Sequence, residues 1–328
     1  MTPFPTRRVV TGHDAAGRDV ILADGAPRVA FEAPGGPAVA EHLWLASRPA
    51  TAAVPEDRSD GGFPLEPPPG GASVRVIRLP PAGDAGWVRV PGDDPARPGF
   101  HTTDTLDVEV VIDGEMILGL DDAEHRLGPG DIVVQRGTDH RWRVPGPGPC
   151  TYAALMLRTD SAAQPVEMAT RPPERDGISV RRLVTGVDAG GGSRAITDGP
   201  PPSALSAADG FLLADVWQTG GPLATAGQGG DSPGGFELEP LGGGVACRIV
   251  RLPAGHDPGE AGWHTTRTID VNVILSGAVQ LELPGAPPLV LSPGEVVVQG
   301  GTSHRWKPVG DSAAQWFAVM VSVATAFS

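Results

Sequence analysis

Lysine is almost missing from this chain of 328 residues. It occurs once, as Lys307, so nearly all of the 25 basic side chains are arginine, the mark of a GC-rich coding bias. Against 39 acidic residues they leave a formal net charge of −14. A nucleic-acid partner needs a basic face for the phosphates, and anionic membrane surfaces make the same demand, so both are excluded as expectations. Cysteine is scarce too. Cys150 and Cys247 are the only two, too few for a disulfide framework or a thiolate metal site. Long apolar runs are lacking: the longest tail, Trp316 to Phe327, is too short to span a bilayer and reads as the last buried strand. No N-terminal stretch joins positive charge to an apolar core, which predicts no signal peptide and a cytoplasmic protein. No three-turn amphipathic helix is evident either.

What is present is glycine, proline and valine-rich runs, with 46 glycines, 36 prolines and 40% apolar residues. Short apolar runs broken by Gly and Pro predict an all-β chain, in a closed or double-sheet form that leaves few bare edges. The length suits two domains of about 150 residues each. The chain also repeats itself. Arg7 opens RRVVTG and Arg181 opens RRLVTG, an offset of 181 − 7 = 174. Phe63 and Phe236 open matching phrases at 173, and Trp44 answers Trp217 at 173. His101 answers His264 at 163 and His140 answers His304 at 164, the drop arising from extra residues in the first copy around Val88 to Pro98. The reading is a tandem duplication: an N-terminal domain over 1–160, a linker over 161–177 and a C-terminal domain over 178–328. Asp113–Gly114 and Ser276–Gly277 sit between apolar runs and read as hairpin turns.

The chemistry-bearing residues recur with the repeat. Each copy holds two histidines and an aspartate: His101, Asp107 and His140, then His264, Asp270 and His304. Six extended residues span roughly 20 Å, so the first histidine and the aspartate meet only if the chain turns between them. Two imidazoles and one carboxylate form a facial set suited to Fe(II), Zn or Mn. Of eight histidines only these four recur. Glu109 shares strand parity with Asp107 and is the candidate general base; its counterpart is Asn272. Gln135 and Gln299 recur five residues before the second histidines, as a fourth ligand, a substrate contact or a plain strand-end residue. Trp142 and Trp306 share parity with those histidines and either wall a pocket or pack a core. Arg267 is read as a holder of a substrate carboxylate or as a solvated loop arginine.

These residues resemble the cupin superfamily, and the duplication resembles a bicupin. The family's first motif opens with His-x-His, has Glu about six residues on and closes at a Gly; His101, Asp107 and Gly114, and His264, Asp270 and Gly277, stand at those places. The second motif runs from Gly-Asp through a turn to His, matched by Gly130–Asp131 to His140 and by Gly294–Glu295 to His304. The second histidine of the first motif is Thr103 or Thr266 here, and the Glu is an Asp. The resemblance implies two tandem jelly-roll β-sandwich barrels and a small-molecule metalloenzyme with a divalent metal (Fe, Mn, Zn or Ni). Its chemistry would be oxygenation, or Lewis-acid isomerisation or cyclisation, of an oxygenated organic substrate, natural-product tailoring included. It admits a homo-oligomer. The alternative is a metal-free bicupin that binds a small molecule or serves as structure. Because Asp104 and Glu109 stand where the second copy has Arg267 and Asn272, the first site is expected to hold metal more firmly, with His101→Ala costing more metal than His264→Ala.

Overall fold

The computed structural model describes residues 4, 7–48, 63–82, 86–89, 94–159, 179–201, 203–221, 230, 237–240 and 243–323; the expected linker over 161–177 lies outside them. The first repeat contributes β1 (Arg8–His13), β2 (Asp19–Gly25), β3 (Ala30–Glu32), β4 (Ala38–Leu45), β5 (Ala72–Leu79), β6 (Thr105–Asp113), β7 (Met116–Gly119), β8 (Glu124–Leu127), β9 (Ile132–Arg136), β10 (Arg141–Arg143) and β11 (Cys150–Arg158). The second contributes β12 (Arg182–Val187), β13 (Ser193–Gly199), β14 (Ser203–Ser206), β15 (Leu212–Gln218), β16 (Val245–Leu252), β17 (Thr268–Ser276), β18 (Ala278–Glu282), β19 (Leu289–Leu291), β20 (Val296–Gly300), β21 (Arg305–Val309) and β22 (Ala314–Ser322). A 3-10 turn spans Gly259–Gly262. The all-β expectation holds.

The strands form two eight-stranded sheets, β13-β12-β9-β6-β11-β5-β4-β3 and β14-β15-β16-β22-β17-β20-β1-β2, and two three-stranded sheets, β10-β7-β8 and β19-β18-β21. One apolar cluster joins the two large sheets across the repeats, with Val108 and Val110 of β6 alongside Val271 and Val273 of β17. Two further clusters lie between each large sheet and its small one: Met116, Leu118 and Trp142 in the first repeat, Val279, Leu281 and Trp306 in the second. The result is two β-sandwiches packed back to back, each a large sheet over a small one. It explains why β6 and β17 are buried along both faces: even-numbered residues of β6 enter the central core, while Asp107, Glu109 and Val111 enter the sandwich interior.

The sheets do not divide where the repeats do. Hairpin β1–β2 of the first repeat extends the C-terminal sheet, with Arg8–Thr11 parallel to Val296–Gln299. Hairpin β12–β13 extends the N-terminal sheet, with β12 parallel to β9. Each hairpin covers what would be the bare edge of a site-bearing strand.

Two sequence readings are corrected. The turns at Asp113–Gly114 and Ser276–Gly277 are not hairpins, because β6 and β7, like β17 and β18, belong to different sheets. The glycines, at φ 81° and 67°, turn corners between layers; a Cβ at Gly114 would lie 2.4 Å from the Pro149 carbonyl oxygen. Nor is Trp44 the partner of Trp217. Trp44 pairs with Ser73 and Gln218 with Ala246, so Trp44 corresponds to Gln218 and the local offset is 174. The strand bulges at residues 41–43 and 215–217 fall at matching places and keep that offset on both sides.

Candidate small-molecule site

In each sandwich the two recurrent histidines face each other across an isolated antiparallel bridge. His101 and His140 exchange backbone bonds of 2.9 and 3.0 Å, His264 and His304 bonds of 3.1 and 3.0 Å. The ring centroids lie 4.3 and 4.2 Å apart. All four rings use Nδ1 in the same way, donating to a backbone carbonyl two residues earlier: Gly99 at 3.0 Å, Thr138 at 2.8 Å, Gly262 at 2.9 Å and Thr302 at 2.9 Å. A carbonyl only accepts, so Nδ1 carries the proton. Burial, then the neighbouring histidine, pushes His140 and His304 down to about 3. Both rings are therefore neutral, and Nε2 presents a lone pair to the interior.

The aspartates are tied elsewhere. The Thr103 hydroxyl donates to Asp107 Oδ2 at 3.2 Å and itself accepts from Thr105 at 2.9 Å. Thr266 donates to Asp270 Oδ2 at 2.8 Å, and Thr268 donates to Oδ1. The threonines that replace the resembled family's second imidazole thus hold the carboxylate. Among the described residues no three His, Cys, Asp or Glu side chains converge as a group able to hold a metal ion. The imidazole pairs, with Nδ1 anchored and Nε2 turned inward, suit a ligand role.

Other candidates separate cleanly. Glu109 does enter the sandwich beside Asp107, and both are buried. Gln135 and Gln299 are 1% exposed, and the Nε2 of each has no hydrogen-bond partner among the described residues. Asn272 donates to Gln299 Oε1 at 2.8 Å, while the Thr138 hydroxyl donates to Gln135 Oε1 at 2.8 Å. Trp142 and Trp306 are buried and stand edge-on to His140 and His304, at 5.7 and 6.0 Å. Arg267 is corrected: its side chain is 75% exposed and pairs with Glu239 at 3.2 Å, so it is a solvated loop arginine. Asp104 likewise points outward to Arg158. The expected charge contrast between the two sites therefore shrinks to Glu109 against Asn272.

The second sandwich encloses a cavity of about 420 Å³, within the usual range of small-molecule sites, about 300–1,000 Å³. His264, His304, Asp270, Asn272 and Gln299 form its polar part; Trp306, Trp316 and Phe211 are among its apolar walls.

Burial pushes Asp107 up to about 7, against the hydroxyls of Thr105 and Thr103. Glu109 is pushed well above its ordinary value by burial and then by Asp107. A carboxyl whose folded pKa lies above its unfolded one favours the fold while protonated, so its contribution is full below about pH 4 and is lost as pH rises through about 7. The urea midpoint is expected to fall as pH rises, with Glu109 adding to the fall as it ionises. Glu109→Gln should make the fall shallower; an unchanged profile would contradict this. Asp270, pushed up by burial to about 6 and beside neutral Asn272, gives the second sandwich a milder dependence.

No family model matches the chain. Phomopsin biosynthesis cluster proteins C' and D of Diaporthe leptostromiformis are each 33% identical to it over 146 residues, 42% of this chain and 69% of theirs. This chain belongs to their family. Oryzines biosynthesis cluster protein J of Aspergillus oryzae is 41% identical over 78 residues, 24% of this chain and 36% of that one. Among solved structures, AerE from Microcystis aeruginosa is similar at 10% identity and TM-score 0.46, over 89% of this chain and 96% of that one. A cupin 2 conserved barrel domain protein from Leptotrichia buccalis is similar at 9% identity and TM-score 0.41, over 89% and 92%. At such identities a likeness concerns the fold alone.

For this member of the family, sequence reasoning missed several site residues. Asn272 was read only as a lost base, yet it orients the Gln299 amide. His256 has no counterpart in the first repeat, and the repeat filter discarded it, yet it lines the cavity. Of the strand arginines, Arg75 and Arg248 turn inward to buried carboxylates, Glu41 at 3.0 Å and Asp215 at 2.7 Å. Those partners lie on neighbouring strands and left no signal in the local sequence.

Proposed function

We propose that this chain binds and chemically alters a small oxygenated organic molecule in the C-terminal cavity, as a tailoring step of a biosynthetic pathway. The observation that carries this reading is the pairing, inside one largely apolar cavity, of an inward lone pair on His304 with an inward amide donor on Gln299. The biosynthetic-cluster relatives support the setting. His304 Nε2 accepts from an O–H, N–H or acidified C–H of the ligand, Gln299 Nε2 donates to its carbonyl oxygen, and the tryptophans take its hydrocarbon part. A donor and an acceptor on one apolar frame describe a hydroxy-carbonyl or amide compound. Moving a proton beside a carbonyl so held is isomerisation or cyclisation chemistry.

A second reading, favoured by the anchored Nδ1 atoms, places a divalent metal on an imidazole pair. Metal analysis of protein purified without added metal separates the two: near one equivalent per pair favours the second. The first is tested with a panel of aromatic hydroxy-acids, phenolic ketones and amides, read by the fluorescence of Trp306 and Trp316. Saturable quenching by at least one compound in the native chain, and its loss in Gln299→Leu, is the expected result. Quenching that survives Gln299→Leu unchanged, or no quenching at all, would overturn it.

A further inference from the structure

Each exchanged strand brings a threonine to the site of the other repeat. Thr11 Oγ1 of β1 lies 2.8 Å from Thr302 Oγ1. Thr138 donates to Thr185 Oγ1 of β12 at 2.9 Å. These are one contact made twice with the repeats interchanged, since 11 + 174 = 185 and 138 + 164 = 302. All four threonines are at most 1% exposed, and hydroxyls so deeply buried are held to their partners by the cost of leaving them unpaired.

Thr302 and Thr138 are also the residues whose carbonyls take the Nδ1 protons of His304 and His140. Each follows a glycine in the left-handed region, Gly301 and Gly137, both at φ 65°. A loop with such a glycine has little stiffness of its own, so the aim of the carbonyl depends on what grips the threonine side chain. In the first site the grip reaches further. The Thr138 hydroxyl has one proton and two acceptors within reach, Thr185 Oγ1 and Gln135 Oε1. Thr185 Oγ1 also accepts from the Arg136 N–H at 3.1 Å.

We propose that Thr11 and Thr185 are positioning residues for the opposite repeat: Thr11 sets His304, and Thr185 sets His140 and Gln135. Each site is then a joint product of both repeats, and neither repeat alone holds its second imidazole in the Nδ1–H form. The proposal rests on the reading that the imidazole pairs are the working groups, but its test needs no ligand.

The full chain is labelled with ring-¹⁵N histidine, and spectra are compared for the native protein, Thr11→Val, Thr11→Ser, Thr185→Val and Thr185→Ser. His304→Ala and His140→Ala assign the signals. Thr11→Val is expected to lose the single-tautomer pattern of His304 and to leave His140 unchanged; Thr185→Val should do the reverse, and both serine variants should restore the native pattern. Folded valine variants with both rings unchanged, equal disturbance of both rings in either variant, or failure of serine to restore would each overturn the proposal. If a valine variant does not fold, Thr11→Ala and Thr185→Ala, which leave room for water, are read in the same way. Absence of ligand binding in the native chain would count against the proposed function and leave this result standing.

Discussion

His304→Ala is expected to cut turnover of the cavity's substrate by about 10²-fold, the low end for a positioned proton acceptor, because the burial that lowers the ring to about 3 also makes it a weak base. The ring is held at both ends of its role. Nδ1 is fixed on the Thr302 carbonyl at 2.9 Å, and Nε2 is the lone pair that meets the ligand. Because burial lowers His304 to about 3, the acceptor stays neutral through the physiological range. The activity profile of the native chain should therefore lack the acid limb near pH 6.5 that an exposed histidine gives. The variant also leaves the Thr302 carbonyl without its donor, which costs about 1–3 kcal/mol of stability. Activity is accordingly compared at a temperature where both proteins are folded by circular dichroism. A variant within about threefold of the native rate would remove His304 from the mechanism; a threefold change corresponds to only about 0.6 kcal/mol.

Asp215→Ala is expected to destabilise the chain by about 3–5 kcal/mol. Arg248 Nε donates to Asp215 Oδ1 at 2.7 Å, and both side chains are 1% exposed. Gln218 also donates to this carboxylate, at 3.0 Å. Removing the aspartate takes the carboxylate away from a buried guanidinium of the cavity lining, whose other bonds include those to the uncharged carbonyls of Leu238 and Glu237 and to Met320 Sδ. The double variant Asp215→Ala, Arg248→Met should recover much of the loss, because an apolar side chain of similar length needs no counter-ion. Urea denaturation of the two variants checks this. A single-variant loss under about 1 kcal/mol, or a double variant no better than the single, would mean the pair is not the fixed charge couple described here. The matching pair Glu41–Arg75 in the first sandwich should behave alike.

Much of the site was legible because the duplication wrote it twice. Residues that recur at both places, His101 with His264, His140 with His304 and Gln135 with Gln299, are those that enter the sandwich interiors. Strand parity alone sent Glu109 inward with Asp107, since a strand alternates faces whatever surrounds it. Parity does not fix a loop side chain, and for that reason Arg267 and Asp104 were free to point outward. Nor does it show where a carboxylate's oxygens are aimed. Asp107 and Asp270 match the motif spacing, but Thr103, Thr266 and Thr268 hold them by bonds that form only once the turn before the strand has closed.

The all-β class, the two repeats, the imidazole pairs and the acidic, single-lysine surface were determined by the sequence itself, because periodicity, turn residues and charge are local properties. Which strands lie side by side was decided only by the tertiary structure. The sequence reading divides the repeats at a linker over 161–177, yet the sheets exchange their first hairpins between repeats, because edge strands β9 and β20 find parallel partners in β12 and β1. The meeting of Thr11 with Thr302 follows from that exchange, whereas Asp215 meets Arg248 through the antiparallel pairing of β15 with β16. Such contacts join residues 33 and 291 positions apart; what brings them together is burial of apolar area common to both repeats, which no local stretch of sequence contains.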